Sequence, residues 1–165
     1  MNSFSVFTEK QYFRQWWIIG LMTFINALFA YGAVSQLIFD VPFGNHPMND
    51  TGLLVLLIFL GIFNYFFFTM RLETKVDAEG ISVKYFPLLI KPRFYSWKEI
   101  KTIEIRQYRP LAEYGGWGLR GWRKNQALNV SGNIGIQLVF INEHKLLIGT
   151  QKPDELRDVL MALKK

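Results

Sequence analysis

Two kinds of hydropathy pattern divide the chain. From Trp16 to Phe39 run 24 consecutive residues without a charged side chain, and from Thr51 to Met70 run 20 more. A bilayer core about 30 Å thick needs about 20 helical residues at 1.5 Å each, so the pattern predicts membrane-spanning helices over 16–39 and 51–70. A soluble core helix apolar on every face would need a large protein around it, and 165 residues do not supply one. A cleaved signal peptide fits poorly. Its apolar stretch would span about 7–15 residues and end at a small-x-small site, whereas Ala30-Tyr31-Gly32 lies well inside the run.

Beyond Met70 the period becomes two, as strands require. Leu72, Thr74 and Val76 alternate with Glu73, Lys75 and Asp77, and after the turn Ala78-Glu79-Gly80 come Ile81, Val83 and Tyr85. Pro87 and Pro92 bracket an expected break. Phe94 to Trp97 resumes extended, and Ile100, Ile103 and Ile105 lead to Tyr108. Ile134–Ile141 and Lys145–Ile148 are joined by the turn Asn142-Glu143-His144. The tail switches period again: Pro153 suits a first helical position, Asp154 and Glu155 the positive end of the dipole, and Leu156, Val159, Leu160 and Leu163 form an i, i+3, i+4, i+7 stripe. The expected fold is a membrane α+β arrangement. Residues 1–70 form a two-helix transmembrane hairpin, and residues 71–165 form six or seven antiparallel strands, a small barrel or sandwich capped by the C-terminal helix.

Charge sharpens the division. Residues 1–70 carry five of the 32 charged side chains, whereas 71–165 carry 17 Lys and Arg against 10 Asp and Glu, a net of +7. Lys10 and Arg14 precede the first span, Arg71 and Lys75 follow the second, and the connecting Asp40–Asp50 has no basic residue. The positive-inside rule then puts both termini in the cytoplasm of a multi-pass protein, with Trp16 and Trp17 at the interface. Thr8 and Gln11 fit a capping box with Phe7 and Tyr12 as its staple, so the first helix is expected to begin before the bilayer. Antiparallel spans bring Asn26 and Asn64 to similar depth, Asn26 with Thr23, Ala30 and Ala33 and Asn64 with Gly61. The two amides read as interhelical hydrogen-bonding partners. Neither span carries an ionisable group, and two helices enclose no pore, which argues against transport by this chain.

Ser96-Trp97-Lys98-Glu99-Ile100, and Gly149-Thr150-Gln151-Lys152-Pro153-Asp154-Glu155-Leu156 before the last helix, complete a pattern. With the succession of strands and the terminal helix, residues 71–163 resemble the bacterial pleckstrin-homology-like domains. That resemblance implies a PH-like β-barrel or sandwich closed by a helix, of the kind that follows a transmembrane hairpin in small bacterial inner-membrane proteins. Eukaryotic relatives bind phosphoinositides through a basic loop between the first two strands. Here that loop, Asp77-Ala78-Glu79-Gly80, is short and acidic.

The segment from Tyr108 to Lys124 is the most unusual. It holds Arg109, Tyr114, Trp117, Arg120, Trp122, Arg123 and Lys124 among glycines. Two readings stand. These residues form a loop contacting a protein partner, a second copy or anionic lipid headgroups, or the tryptophans pack inside and the glycines permit bends. Gly116-Trp117-Gly118-Leu119-Arg120-Gly121 matches G-x-G-x-x-G only literally, because hairpin-like sequence follows where a dinucleotide site needs a helix. Without cysteine there is no thiolate chemistry. His46 and His144 fall on opposite sides of the membrane in this topology, and acids occur singly. No catalytic, metal or cofactor site is expected, and a basic face toward lipid accounts for the charge without nucleic acid. The expected role is a non-enzymatic membrane-anchored module that binds a protein partner or self-associates, with direct binding of anionic lipid as the alternative and a membrane enzyme with a site built from scattered residues as the third reading.

Overall fold

A computed structural model describes residues 6–122 and 124–165, which divide into two compact units: Arg14–Thr69, and Met70–Lys165 joined by the residues before Arg14. In the first unit, α1 (Trp16–Phe39) and α2 (Asp50–Thr69) coincide with the charge-free runs to within one residue. At 1.5 Å per residue they measure about 36 and 30 Å, and both are long and apolar enough to cross a membrane. Asn49 starts α2 by accepting a hydrogen bond from Gly52 N at 2.7 Å through its side chain. The connection is tied by Gln36, whose amide donates to Met48 O and to Asp50 Oδ1, each at 2.7 Å.

The two helices are joined by a reciprocal amide pair, nearer the Thr69 end of α2 than its middle. Asn64 Nδ2 donates to Asn26 Oδ1 at 2.8 Å, and Asn26 Nδ2 donates to Asn64 Oδ1 at 3.3 Å and to Met22 O at 2.6 Å. Thr23, Ala27 and Ala30 line the cleft beside the pair, so small side chains leave the amides room to meet. Gly61 does not share this role: it is exposed, with open space where a Cβ would stand. Close approach occurs instead at Gly32, where a Cβ would lie 2.6 Å from the Phe43 ring.

The second unit is built from two sheets. One has the order β1-β2-β3-β4, with β1 (Phe7–Tyr12), β2 (Arg71–Val76), β3 (Gly80–Phe86) and β4 (Leu89–Ser96), all antiparallel. The other has the order β5-β8-β9-β7-β6, with β5 (Ile100–Gln107), β6 (Gly118–Trp122), β7 (Asn125–Asn129), β8 (Ile134–Phe140) and β9 (Lys145–Gly149). A 3-10 turn at Trp97–Glu99 links them, with Ser96 Oγ accepting from Lys98 N and Trp97 Nε1 donating to Asp77 O at 2.9 Å. Buried Leu72, Val76, Ile81, Val83 and Tyr85 come from the first sheet, and Leu128, Ile136, Leu138 and Ile148 from the second. Helix α4 (Pro153–Ala162) buries Leu156 and Leu160 of its stripe. The expected α+β layout of an N-terminal helix pair, sheets and a closing helix is present.

Three expectations need correction. Residues 7–12 are a strand, not the start of a helix: β1 pairs with β2 over six register positions, from Phe7↔Val76 to Tyr12↔Arg71, and alternates buried and exposed. A capping box contributes about 1 kcal/mol, too little against what β1 buries. Phe7 is 2% exposed, Gln11 Nε2 donates to Gly149 O at 2.7 Å, and the Glu9 carboxylate accepts from Thr150 Oγ1 at 2.7 Å and Gln151 N at 2.8 Å. The β unit therefore takes its first strand from before the two helices. The strands are also not all antiparallel. β9 enters between β8 and β7 and runs parallel to β7, because its continuous apolar run Leu146-Leu147-Ile148 is covered on both faces and needs neighbours on both edges. Finally, the strand resumes before Pro92 rather than after it: the chain turns at 87–88, β4 begins at Leu89, and its pairing with β3 is interrupted between Leu89 and Arg93, where an outer strand accommodates Pro92.

Candidate interaction site

After β5 the chain turns into the short helix α3 (Pro110–Tyr114), with Pro110 at its first position. Glu113 closes the turn, accepting from Arg109 N at 2.7 Å through Oε1 and from Arg106 Nη2 at 2.7 Å through Oε2. The Arg106 hydrogen bond holds the Glu113 carboxyl below the usual carboxylate range, and the same bond raises Arg106. Arg106 also donates to Gln137 Oε1 at 3.0 Å, so β5, α3 and β8 meet in one polar knot. Gly115 ends the helix at φ 71°, where Gly115 N donates to Leu111 O and Gly116 N to Pro110 O.

Tyr114 is turned inward. It packs edge-on against Tyr108, with centroids 6.1 Å apart, in a cluster with Ala127 and Leu147 on the sheet face that α3 covers. Burial raises the pKa of both phenols. Tyr114 is thus the brace beneath the surface rather than part of it. Tyr108 is fixed from below by Asn129, whose Nδ2 donates to the Tyr108 oxygen at 3.0 Å while its Oδ1 accepts from Gly118 N at 2.8 Å.

Trp117 is half-buried, and its indole N–H donates to Gly132 O at 2.9 Å, which clips the glycine loop to the β7–β8 connection. Between that indole and α3 lies an open groove of about 540 Å³, with Tyr108 at its base, Pro110 and Leu111 on one side, Trp117 on the other, and Arg109 and Asn133 at the rim. Leu111 is 70% exposed there. The remaining candidates lie elsewhere. Arg120 is exposed and folds back, its Nε donating to Trp117 O at 2.8 Å. Trp122, 79% exposed, and Lys124 sit at the far end of the β6–β7 hairpin, about 13 Å along β6 from Gly118. Arg123 lies outside the described residues. The aromatic, basic segment is therefore two surfaces, a groove holding Arg109 and Trp117 and a hairpin tip holding Trp122 and Lys124.

No family model, no curated protein and no solved structure matches the chain. Among the described residues, no three His, Cys, Asp or Glu side chains cluster to hold a metal ion. Gly116–Gly121 leads from α3 into strand β6 rather than from a strand into a helix, so its amides do not meet at a helix N-terminus as a pyrophosphate cradle requires. Pro110, Leu111 and Asn133 escaped the sequence reading because a five-residue helix is too short to show a period. Pro110 just after a strand was the one available signal.

Proposed function

We propose that this chain is a membrane-anchored, non-enzymatic interaction module: α1 and α2 span the inner membrane with both termini in the cytoplasm, and a PH-like β unit on that side docks a protein partner in the Trp117 groove. The observation that carries this reading is the groove itself. The Trp117 indole on one side and Arg109 at the rim are residue types that supply most binding energy at protein interfaces, and exposed Leu111 adds apolar area beside them. Support for the anchor comes from the length and apolarity of the two helices, and for the orientation from the basic residues at their outer ends. The PH-like reading draws on two sheets followed by a C-terminal helix. The net charge of +7 favours contact with anionic lipid as a second reading.

The test is photo-crosslinking from Leu111 in native membranes, with a benzoylphenylalanine at that position in the full chain. A discrete crosslinked protein band that disappears in Trp117→Ala is expected, whereas crosslinking from Met161, exposed on α4, should give no such band. Equal background from both positions would refute the groove as a docking site. Proteolysis of the β unit from outside sealed spheroplasts would refute the orientation.

A further inference from the structure

Basic side chains gather at one end of the first sheet. Tyr12, Arg71 and Phe86 are consecutive register partners across β1, β2 and β3. The ends at which the chain passes to the helices, Phe13 and Met70, therefore lie at the same end of the sheet as the β3–β4 tip, Pro87-Leu88. Strands are spaced by about 4.8 Å, so the tip lies within about 10 Å of both passages. At this end the Arg71 guanidinium stacks on the Phe86 ring at 4.7 Å and Lys84 Nζ stands 5.9 Å from it. Lys10, the register partner of Glu73, stands at the same level, and Lys91 follows on the exposed β4, with Arg93 further along opposite Val83. Against these cations stands Glu73, already paired to Arg71 at 2.7 Å. At the opposite end, the β2–β3 turn, Asp77 is paired to Lys75 at 3.0 Å and Lys165 stands over the neighbouring Trp97 ring, so charges of both signs meet there. The basic end also exposes apolar side chains that a soluble strand would cover: Leu88 is 46% and Ile90 69% exposed. Apolar side chains flanked by cations match a surface that is itself layered, anionic headgroups over hydrocarbon.

We infer that the β3–β4 tip is a third point of membrane contact, with Leu88 and Ile90 at headgroup depth and Lys84, Lys91 and Arg93 on anionic lipid phosphates. This rests on the reading that α1 and α2 cross a bilayer, because the two passages then bring this end of the sheet to the lipid surface. Lys84 lies three residues before Pro87, about 10 Å along the strand, at the edge of the 8–10 Å over which a charged leaflet attracts cations, and its long side chain shortens that gap. The contact is distinct from the Trp117 groove and shares no residue with it.

The absence of cysteine makes single labels clean. The full chain carrying Leu88→Cys, Ile90→Cys, Ile58→Cys in mid-α2 or Met161→Cys in α4 is labelled with an environment-sensitive fluorophore. It is then reconstituted in phosphatidylcholine vesicles with or without phosphatidylglycerol, using lipids with shallow or deep doxyl quenchers. Deep quenching at 58 and none at 161 are expected. Shallow quenching is expected at 88 and 90 in the anionic vesicles, falling about twofold or more at high salt or in Lys84→Gln, Lys91→Gln, Arg93→Gln. Quenching at 58 with an aqueous signal at 88 and 90 would overturn the tip contact and leave the spanning helices standing. Tip quenching indifferent to phosphatidylglycerol would overturn the assignment to anionic lipid. No quenching at 58 would overturn the spanning reading and the tip contact with it.

Discussion

Because β1 and β2 are paired neighbours and the helices lie between them in sequence, the helical unit is an insertion into what would otherwise be a β-hairpin. Replacing residues 13–70 by Asn-Gly should therefore give a soluble, folded β unit. Tyr12 and Arg71 are register partners, with Cα atoms about 5 Å apart, a gap that a two-residue type I′ turn closes. The comparison is residues 71–165 alone, which lack β1. The loss can be sized from the contacts. Phe7, 2% exposed, contributes about 2 kcal/mol of burial. The Gln11–Gly149 hydrogen bond contributes about 1 kcal/mol. Each of the two bonds to the Glu9 carboxylate contributes about 1.5–3 kcal/mol. Together these rival the whole stability of an ordinary domain, about 5–15 kcal/mol. Size-exclusion chromatography and thermal unfolding by circular dichroism decide the matter. The Asn-Gly variant should be monomeric and melt cooperatively, while 71–165 should aggregate or melt at least about 20 °C lower. If 71–165 is monomeric and melts within about 5 °C of the variant, β1 is not integral to the unit and the reasoning fails.

Gly121 stands at φ 83° with Asn125 O where a Cβ would go, whereas Gly115 stands at φ 71° in open space. Gly115→Ala should cost about 1–2 kcal/mol from backbone conformation alone and Gly121→Ala distinctly more, and equal melting shifts would contradict this. Asn64→Leu removes both interhelical amide bonds but leaves Asn26 bonded to Met22 O. The expected loss is about 1 kcal/mol, a melting shift of about 3 °C for the full chain in detergent, and an unchanged melt would rule the amide pair out as a stabilising contact. Glu113, whose carboxyl is held low by Arg106, stabilises the fold above the ordinary glutamate range, and that contribution is lost as pH falls through its depressed value. The pair is partly exposed, so the effect should stay below about 1 kcal/mol. Glu113→Gln should lower stability at pH 7 and narrow the difference between pH 7 and pH 3, and an unaltered pH dependence would deny the linkage.

What was legible in the sequence is what depends on neighbours a few residues away. Charge-free length alone placed both long helices, and a 3.6-residue stripe with Pro153 at its head placed α4, because each signal repeats over several turns. β2, β3, β8 and β9 showed as period-two runs or short apolar runs between turns. β1 did not, because Thr8 and Gln11 satisfy a local capping pattern while the residues that make the strand worthwhile, Leu72, Gly149 and Thr150, stand 61 to 141 positions away. The Tyr108–Lys124 segment was ambiguous for the same reason. Whether Tyr114 faces solvent or core is decided by Gln137 and Leu147, and whether Trp117 is held is decided by Gly132 O.

Charge shows the limit most clearly. Along the chain Arg71, Glu73, Lys75, Asp77, Glu79 and Lys84 interleave both signs, and their sum is zero. Antiparallel pairing folds that list back on itself, so that residues with a constant index sum share a level. Arg71 meets Phe86 and lies near Lys84, while Asp77 and Glu79 are left together at the far turn. The pairing thus gathers Arg71, Lys84 and Lys10 at one end, the end from which the chain leaves for the helices, while Asp77 at the far turn is paired to Lys75. On the proposed reading, in which the helices cross a bilayer, the register that pairs Tyr12 with Arg71 is what turns these cations, rather than Asp77 and Glu79, toward the passages.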